Sequence, residues 1–148
     1  MLLDASALVE LVTAGRHRQG ADALLARYAH AEPRLVFASA AHALVEATSA
    51  LRRLVRLGVL DAASGAEAIG WLGQIDIALD PPGPRLGRIW SLREAMSSYD
   101  AAYAAMAEAL GRPLLSVDGR LLRACRRAGI ASMHLDELAR PPSDTGHR

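Results

Sequence analysis

Lysine is missing from this 148-residue chain, and so is asparagine; all 17 basic residues are Arg. The absence of Lys excludes whole chemistries. No side-chain amine is available for a Schiff base, and no P-loop Lys can reach a nucleotide phosphate. High-GC coding, which favours Ala, Arg and Gly codons, is a sufficient cause of the bias. Cysteine is almost absent too. The single Cys125 cannot close an internal disulfide, and its place in a helical apolar pattern reads as a reduced, buried thiol of a cytoplasmic protein. No hydrophobic run approaches the length of a membrane span. No basic segment opens the chain, and Asp4 and Glu10 interrupt any signal-like core. An excess of one charge is also lacking: the net is +1, so a globally basic nucleic-acid binder is not indicated. Five scattered His and one Cys show no zinc-ligand spacing, which argues against a zinc site.

What is present is a globular composition, 51% hydrophobic and 22% charged, long enough for one domain with a real core. We expect that domain over residues 1–139, with "RPPSDTGHR" at 140–148 as a disordered tail. Met1 to Leu3 reads as a short buried strand, followed by helices over about Ala5 to Thr13 and Gln19 to Ala31. "RLVFAS" is a strand, and Ser39 is a plausible cap for the long helix through Leu57. Asp61 caps a helix reaching about Ile75. "DIALD" is a strand, and "PPGP" turns into a helix from Leu86 to about Ala95. A helix over Ser98 to Leu110 stops at Gly111. A strand over Pro113 to Val117, a helix over Gly119 to Ala128 and the strand "ASMHL" complete the pattern. Strands alternating with helices predict an α/β fold in three layers, a mostly parallel sheet with helices on both faces. In such sheets, sites form beyond the carboxyl ends of strands, near the reversal of strand order.

Asp4 ends the strand "MLL" and Asp118 ends "PLLSV". Each could be only a helix cap, supplying an oxygen to an orphan N–H. Asp100 stands three residues after Ser97, where a capping box or the helix dipole favours an acid. Glu46 lies on the side of its helix opposite Leu44, Thr48, Leu51 and Val55, together with His42, Ser49 and Arg53. Singly, each acid has an ordinary structural explanation. Jointly, four carboxylates converging on one crevice would repel one another and need a cation to coexist. Mg²⁺ or Mn²⁺ prefers oxygen ligands, keeps water, and serves phosphate chemistry.

The segments "LLDASALVEL", "HALVEATSALRRLVRLG" and "SSYDAAYAAMAEALGRPLLSVDGRLLRA", in this order and spacing, resemble the PIN-domain family. The likeness is to the VapC-type toxin ribonucleases of bacterial toxin–antitoxin pairs. The resemblance implies a five-strand parallel sheet, dependence on Mg²⁺ or Mn²⁺, a homodimer and inhibition by a cognate antitoxin. It places Asp4, Glu46, Asp100 and Asp118 at the family's acidic positions. Asp4, Asp100 and Asp118 would hold the ion, while Glu46 is open between ligand, water-orienting group and general base. Ser6 and Ser116 match the supporting hydroxyl residues. Some relatives carry a further acid just beyond the last aspartate. Gly119, Arg120 and Leu121 stand there in this chain, leaving fewer ligands for a second ion.

The implied reaction is hydrolysis of an RNA phosphodiester to a 5′-phosphate and a 3′-hydroxyl, on single-stranded or looped RNA. Arg52, Arg53 and Arg56 on the Glu46 helix, and Arg120 and Arg123 after Asp118, are candidate phosphate contacts. Tyr99 and Tyr103 share a helix face with Ala102 and Met106 and read as core; Trp71 is a further candidate to stack on bases. Three rivals stand beside the toxin reading. One is a PIN-domain nuclease of ordinary RNA processing, and another is an inactive PIN-like module that only binds. A receiver-type phosphoacceptor domain ranks last, because its supporting Lys is missing and a mid-helix Glu46 does not fit.

Overall fold

The computed structural model describes residues 1–13, 15–30 and 36–140. The chain runs β1 (Leu2–Leu3), α1 (Ala5–Val12), α2 (Arg18–His30), β2 (Phe37–Ala40), α3 (Ala43–Arg56), α4 (Ala62–Leu72) and β3 (Ile77–Asp80). It continues through α5 (Leu86–Ser91), α6 (Ser98–Leu110), β4 (Leu114–Ser116), α7 (Gly119–Arg127) and β5 (Ser132–His134), then a 3₁₀ segment, Leu135–Ala139. The five strands form one sheet in the order β3-β2-β1-β4-β5, all parallel. The α/β expectation holds, and the sheet is wholly rather than mostly parallel.

Strand order is what makes a site. The chain leaves β1 outward through β2 to β3, then crosses back to start again on the other side with β4. Right-handed crossovers therefore put α1 to α4 on one face and α5 to α7 on the other. The reversal falls between β1 and β4, where Leu2 pairs with Leu114 and Leu3 with Leu115. The carboxyl ends of these strands open into the crevice where α/β sheets bind ligands.

Both residues of β1 are fully buried, and so are Leu114 and, nearly, Leu115 of β4, as expected of central parallel strands covered on both faces. Helix α6 is buried over seven consecutive residues, Ala101 to Ala107. Alanine makes that possible, because a helix with small side chains all round can press into a core from several sides. Ser97 caps α6 by accepting from the Asp100 N–H, and Gly111 ends it in the left-handed region at φ 57°, a conformation that costs a side-chain-bearing residue.

Three local expectations are corrected. Ser39 does not cap α3; it lies in β2 and donates to the Leu3 carbonyl at 2.6 Å, while His42 occupies the cap position without a side-chain cap bond. The buried stripe of α3 is Ala43, Ala47 and Leu51, with Thr48 exposed, so Glu46 is only half turned to solvent. Helix α5 ends at Ser91, short of Ala95. Ala31, Arg34 and Leu35, and all of the expected tail beyond Arg140, lie outside the described residues.

The 3₁₀ segment, not anticipated from the sequence, packs on α2. A Cβ at Gly20 would stand 2.7 Å from the backbone carbon of Leu135 and 2.8 Å from the Asp136 nitrogen. These are backbone atoms of another element and cannot step aside cheaply. Gly20→Ala is expected to destabilise the fold by about 1–3 kcal/mol, read as a lowered urea midpoint with an unchanged slope.

Candidate active site

Asp4 stands at the carboxyl end of β1 and also caps α1, accepting from the Ala7 N–H at 2.8 Å. It is only 4% exposed. The Ser6 hydroxyl lies 2.8 and 2.9 Å from its two oxygens, and the Ser116 hydroxyl donates to Oδ2 at 2.6 Å. Each serine also accepts from the β4–α7 junction: Ser6 from the Val117 N–H at 3.0 Å, Ser116 from the Asp118 N–H at 2.9 Å. The two hydroxyls thus tie the end of β4 to a carboxylate at the end of β1. Burial pushes the Asp4 carboxyl up to about 6, against the pull of these hydrogen bonds, and the neighbouring Asp118 charge adds to the rise.

Asp118 caps α7, its Oδ1 accepting from the N–H groups of Arg120 at 2.7 Å and Leu121 at 3.2 Å. Asp100 sits in the first turn of α6. All four acids lie at helix N-termini, Glu46 in the first turn of α3 rather than in mid-helix as expected from the sequence, and the partial positive charge there lowers the cost of gathering them. Cap and site are compatible roles for Asp118, which caps with Oδ1 and leaves Oδ2 outside the cap, whereas both oxygens of Asp4 already accept hydrogen bonds. Asp100 Oδ2 is closed off from solvent and meets no aligned hydrogen-bond donor. Its charge is answered by Arg120, whose Nη1 is 3.0 Å away; Nη2 of the same guanidinium lies 3.6 Å from Asp118 Oδ2.

Glu46 comes in from α3. Its Oε2 accepts from the Tyr103 hydroxyl of α6 at 2.7 Å and lies 3.5 Å from His42 Nε2. Tyr103 is buried, as read from the sequence, but its hydroxyl is the link that reading missed. Burial and the Glu46 carboxylate drive its ionisation far above the ordinary phenol range. The signal was available: Tyr103 follows Asp100 by three residues and so shares its helix face. Tyr99 is corrected from core to surface. It is 62% exposed and packs edge-on against His42, which also meets the Tyr103 ring at 4.8 Å. His42, Glu46, Ser49, Arg53 and Tyr99 line a shallow cleft of about 510 Å³. Arg52, Arg53 and Arg56 are exposed, and Trp71 lies elsewhere, in a groove with residues of α1 and α2.

Among the described residues no three of the four carboxylates bring ligand atoms within 4.8 Å of one another. Arg120 stands between two of them. The links are pairwise: Ser116 joins Asp4 to the Asp118 N–H, Arg120 joins Asp118 to Asp100, and Tyr103 joins Glu46 to the helix that carries Asp100.

A family model described as PIN domain matches residues 1–127. Among curated proteins, VapC ribonuclease Mb0985 of Mycobacterium bovis is 36% identical over 122 residues, covering 82% of this chain and 87% of that protein. Ribonuclease VapC3 of Mycobacterium tuberculosis is 36% identical over 125 residues, covering 84% and 86%. The crystal structure of PAE2754 from Pyrobaculum aerophilum superposes with a TM-score of 0.65 at 27% identity, over 93% of this chain and 90% of that one. A sheet that reverses between β1 and β4, acids at the ends of those strands and these relatives along most of the chain agree: the protein belongs to the PIN-domain family, among the VapC-type ribonucleases.

Proposed function

We propose that this protein is the toxin of a toxin–antitoxin pair, an endoribonuclease hydrolysing RNA at the crevice where Asp4, Glu46, Asp100 and Asp118 meet. The observation that carries the site assignment is the treatment of its acids. Asp4 is buried at the cost of a raised pKa, and Asp100 Oδ2 is closed off from solvent with no aligned donor. The α1 cap and the Arg120 pair account for each acid singly; a bound cation accounts for gathering them in one crevice. The donor set is all oxygen and fits a hard divalent cation of the Mg²⁺ or Mn²⁺ kind, held by Asp4, Asp100 and Asp118. Such an ion, when bound, supplies Lewis-acid activation and neutralises charge at the phosphate. Ser6 and Ser116 fix the Asp4 carboxylate. Tyr103 holds Glu46 at the edge of the crevice, where it orients water or takes its proton. Arg53 and Tyr99 offer a phosphate contact and a stacking face along the cleft beside Glu46.

RNA and an antitoxin are the partners this reading requires, with a second copy of the chain implied by the resemblance. A groove of about 560 Å³ between α1, α2 and α4, lined by both charged and apolar side chains with Trp71 and Leu25 exposed, is open to a protein partner. No helix among the described residues is long and apolar enough to cross a membrane.

The test is cleavage of an end-labelled mixture of cellular RNAs by antitoxin-free protein with Mg²⁺ or Mn²⁺, beside EDTA. Discrete, metal-dependent products are expected. Their absence, together with no metal binding, would favour the binding-module alternative. Arg120 carries a separate prediction. As the internal cation between Asp100 and Asp118 it competes with any ion that seats there. Arg120→Ala is expected to tighten Mn²⁺ binding about fivefold, corresponding to about 1 kcal/mol for a partly exposed ion pair. Calorimetric titration checks this; unchanged binding would leave Arg120 to RNA contact alone, and weaker binding would mean that it orders the carboxylates for the ion.

A further inference from the structure

One cluster of ligand-type side chains lies apart from the four acids. His17, just before α2, places Nδ1 2.6 Å from Asp136 Oδ2 in the 3₁₀ segment. His134, at the end of β5, has Nδ1 3.7 Å from the same oxygen, and its ring meets that of His17 edge-on at 4.8 Å. One ligand atom from each of the three lies within 4.8 Å of the other two. None of the three hydrogen-bonds or ion-pairs with Asp4, Glu46, Asp100 or Asp118 among the described residues.

We propose that His17, His134 and Asp136 form a second metal site, one for a borderline transition cation of the Zn²⁺ class, which staples the start of α2 to the C-terminal 3₁₀ segment. Imidazole nitrogens suit Zn²⁺ and not Mg²⁺, so the donor set separates this site from the four carboxylates. Four features of the surroundings favour a cation. Asp136 Oδ1 is closed off from solvent and has no hydrogen-bond partner, which leaves an acceptor for a bidentate ligand. Glu10 adds a second carboxylate close by, its Oε2 accepting from the His17 N–H at 3.1 Å. The close approach at Gly20 presses α2 onto Leu135 and Asp136, and Arg27 donates to the Leu138 carbonyl at 3.3 Å further along. The two elements are thus held together before any ion arrives. Lastly, His134 Nδ1 accepts from the Asp136 N–H at 3.2 Å, so its lone pair already faces the cluster.

Neighbouring ligand atoms of a tetrahedral Zn²⁺ stand about 3.3 Å apart at the usual bond lengths. Seating the ion therefore takes side-chain rotation that opens the 2.6 Å contact of His17 with Asp136 and draws His134 in from 3.7 Å. For His17 Nδ1 to ligate, the neutral imidazole carries its ring proton on Nε2 rather than on the side facing Asp136, and the ion takes the His134 lone pair in place of the long N–H contact, with water completing the shell. Protons compete with the ion for the imidazole nitrogens, so binding weakens as pH falls. Spacing in the sequence could not reveal such a site, because one ligand precedes the others by more than a hundred positions.

The test is Zn²⁺ binding by the full chain under excess Mg²⁺, which competes for the four acids but not for imidazoles. One Zn²⁺ per chain is expected, with a raised Tm. His17→Gln, which retains a hydrogen-bonding group facing Asp136, and His134→Ala are each expected to weaken it at least about tenfold, whereas Asp118→Asn is not. Co²⁺ substitution gives an independent readout: a visible spectrum of a nitrogen-containing site that is lost in His17→Gln. The proposal is overturned if the wild-type chain takes up no Zn²⁺, if His17→Gln and His134→Ala bind it as tightly as wild type, or if Asp118→Asn removes it.

Discussion

Asp4→Asn is expected to lower RNA cleavage at least about 100-fold and yet to make the metal-free protein more stable at neutral pH. The two effects share one cause. Burial lifts the Asp4 carboxyl from its ordinary 3.8 to about 6, so the folded chain holds this proton more tightly than the unfolded chain does. Stability from the group is then fully present below about pH 4 and is lost as pH rises through about 6. A rise of about two units corresponds to about 3 kcal/mol withheld from the fold at pH 7. Asn serves an N-cap as well as Asp does and can still accept from the Ala7 N–H, while the Ser6 and Ser116 hydroxyls are free to turn toward its amide. It carries no charge to bury. Thermal unfolding in chelator at pH 4, 5, 6 and 7 checks this. The Asn variant should match wild type near pH 4 and exceed it by several degrees at pH 7. Taking the difference between the two proteins removes the other titrating groups. Adding Mn²⁺ should then raise the wild-type Tm and leave that of the variant in place. A difference that stays flat across this pH range would mean that Asp4 is not an ionised group held at a cost.

The sheet was legible because its strands are short runs, with Asp4, Asp80 and Asp118 at or just after the ends of β1, β3 and β4, and because α1, α4, α6 and α7 carry side-chain caps. Asp61 and Ser97 cap as their spacing said. Asp4 and Asp118 were legible for a second reason: strand ends at a switch point are determined by topology, and topology followed from the alternation of elements. Errors arose where a residue's local pattern and its tertiary partner disagree. Ser39 has the side chain of a cap but spends its hydroxyl on the Leu3 carbonyl across the sheet. Tyr99 and Tyr103 share a helix flank, yet one ring is in solvent and the other in the core: Tyr99 lines the open cleft beside α3, whereas Tyr103 reaches Glu46 beneath it. The α3 stripe was misread because Ala43 and Ala47 face inward: small residues carry little apolar signal in a sequence but allow the closest helix approach. The pairings of Arg120 with Asp100 and of His17 with Asp136 join elements distant in the chain, and no periodicity encodes them.

Tyr103→Phe removes one oxygen and tests whether that contact belongs to the packing or to the chemistry. The ring is buried and should keep its place, since Phe fills the same volume. What is lost is the 2.7 Å hydrogen bond to Glu46 Oε2; the same oxygen lies 3.5 Å from His42 Nε2. Stability should fall by about 1–2 kcal/mol, as for a lost hydrogen bond to a charged group. If Tyr103 acts by holding Glu46, kcat should fall about 10–100-fold, the usual cost of losing a group that orients a site residue, with the KM for RNA little changed. Glu46→Gln supplies the decisive comparison. Combining the two substitutions should slow cleavage no more than Glu46→Gln alone, because the hydrogen bond serves catalysis only through the carboxylate that Glu46→Gln has already removed. Multiplying penalties would instead show that Tyr103 supports the crevice independently of Glu46, through the Asp4 side of α6 or through the His42 ring.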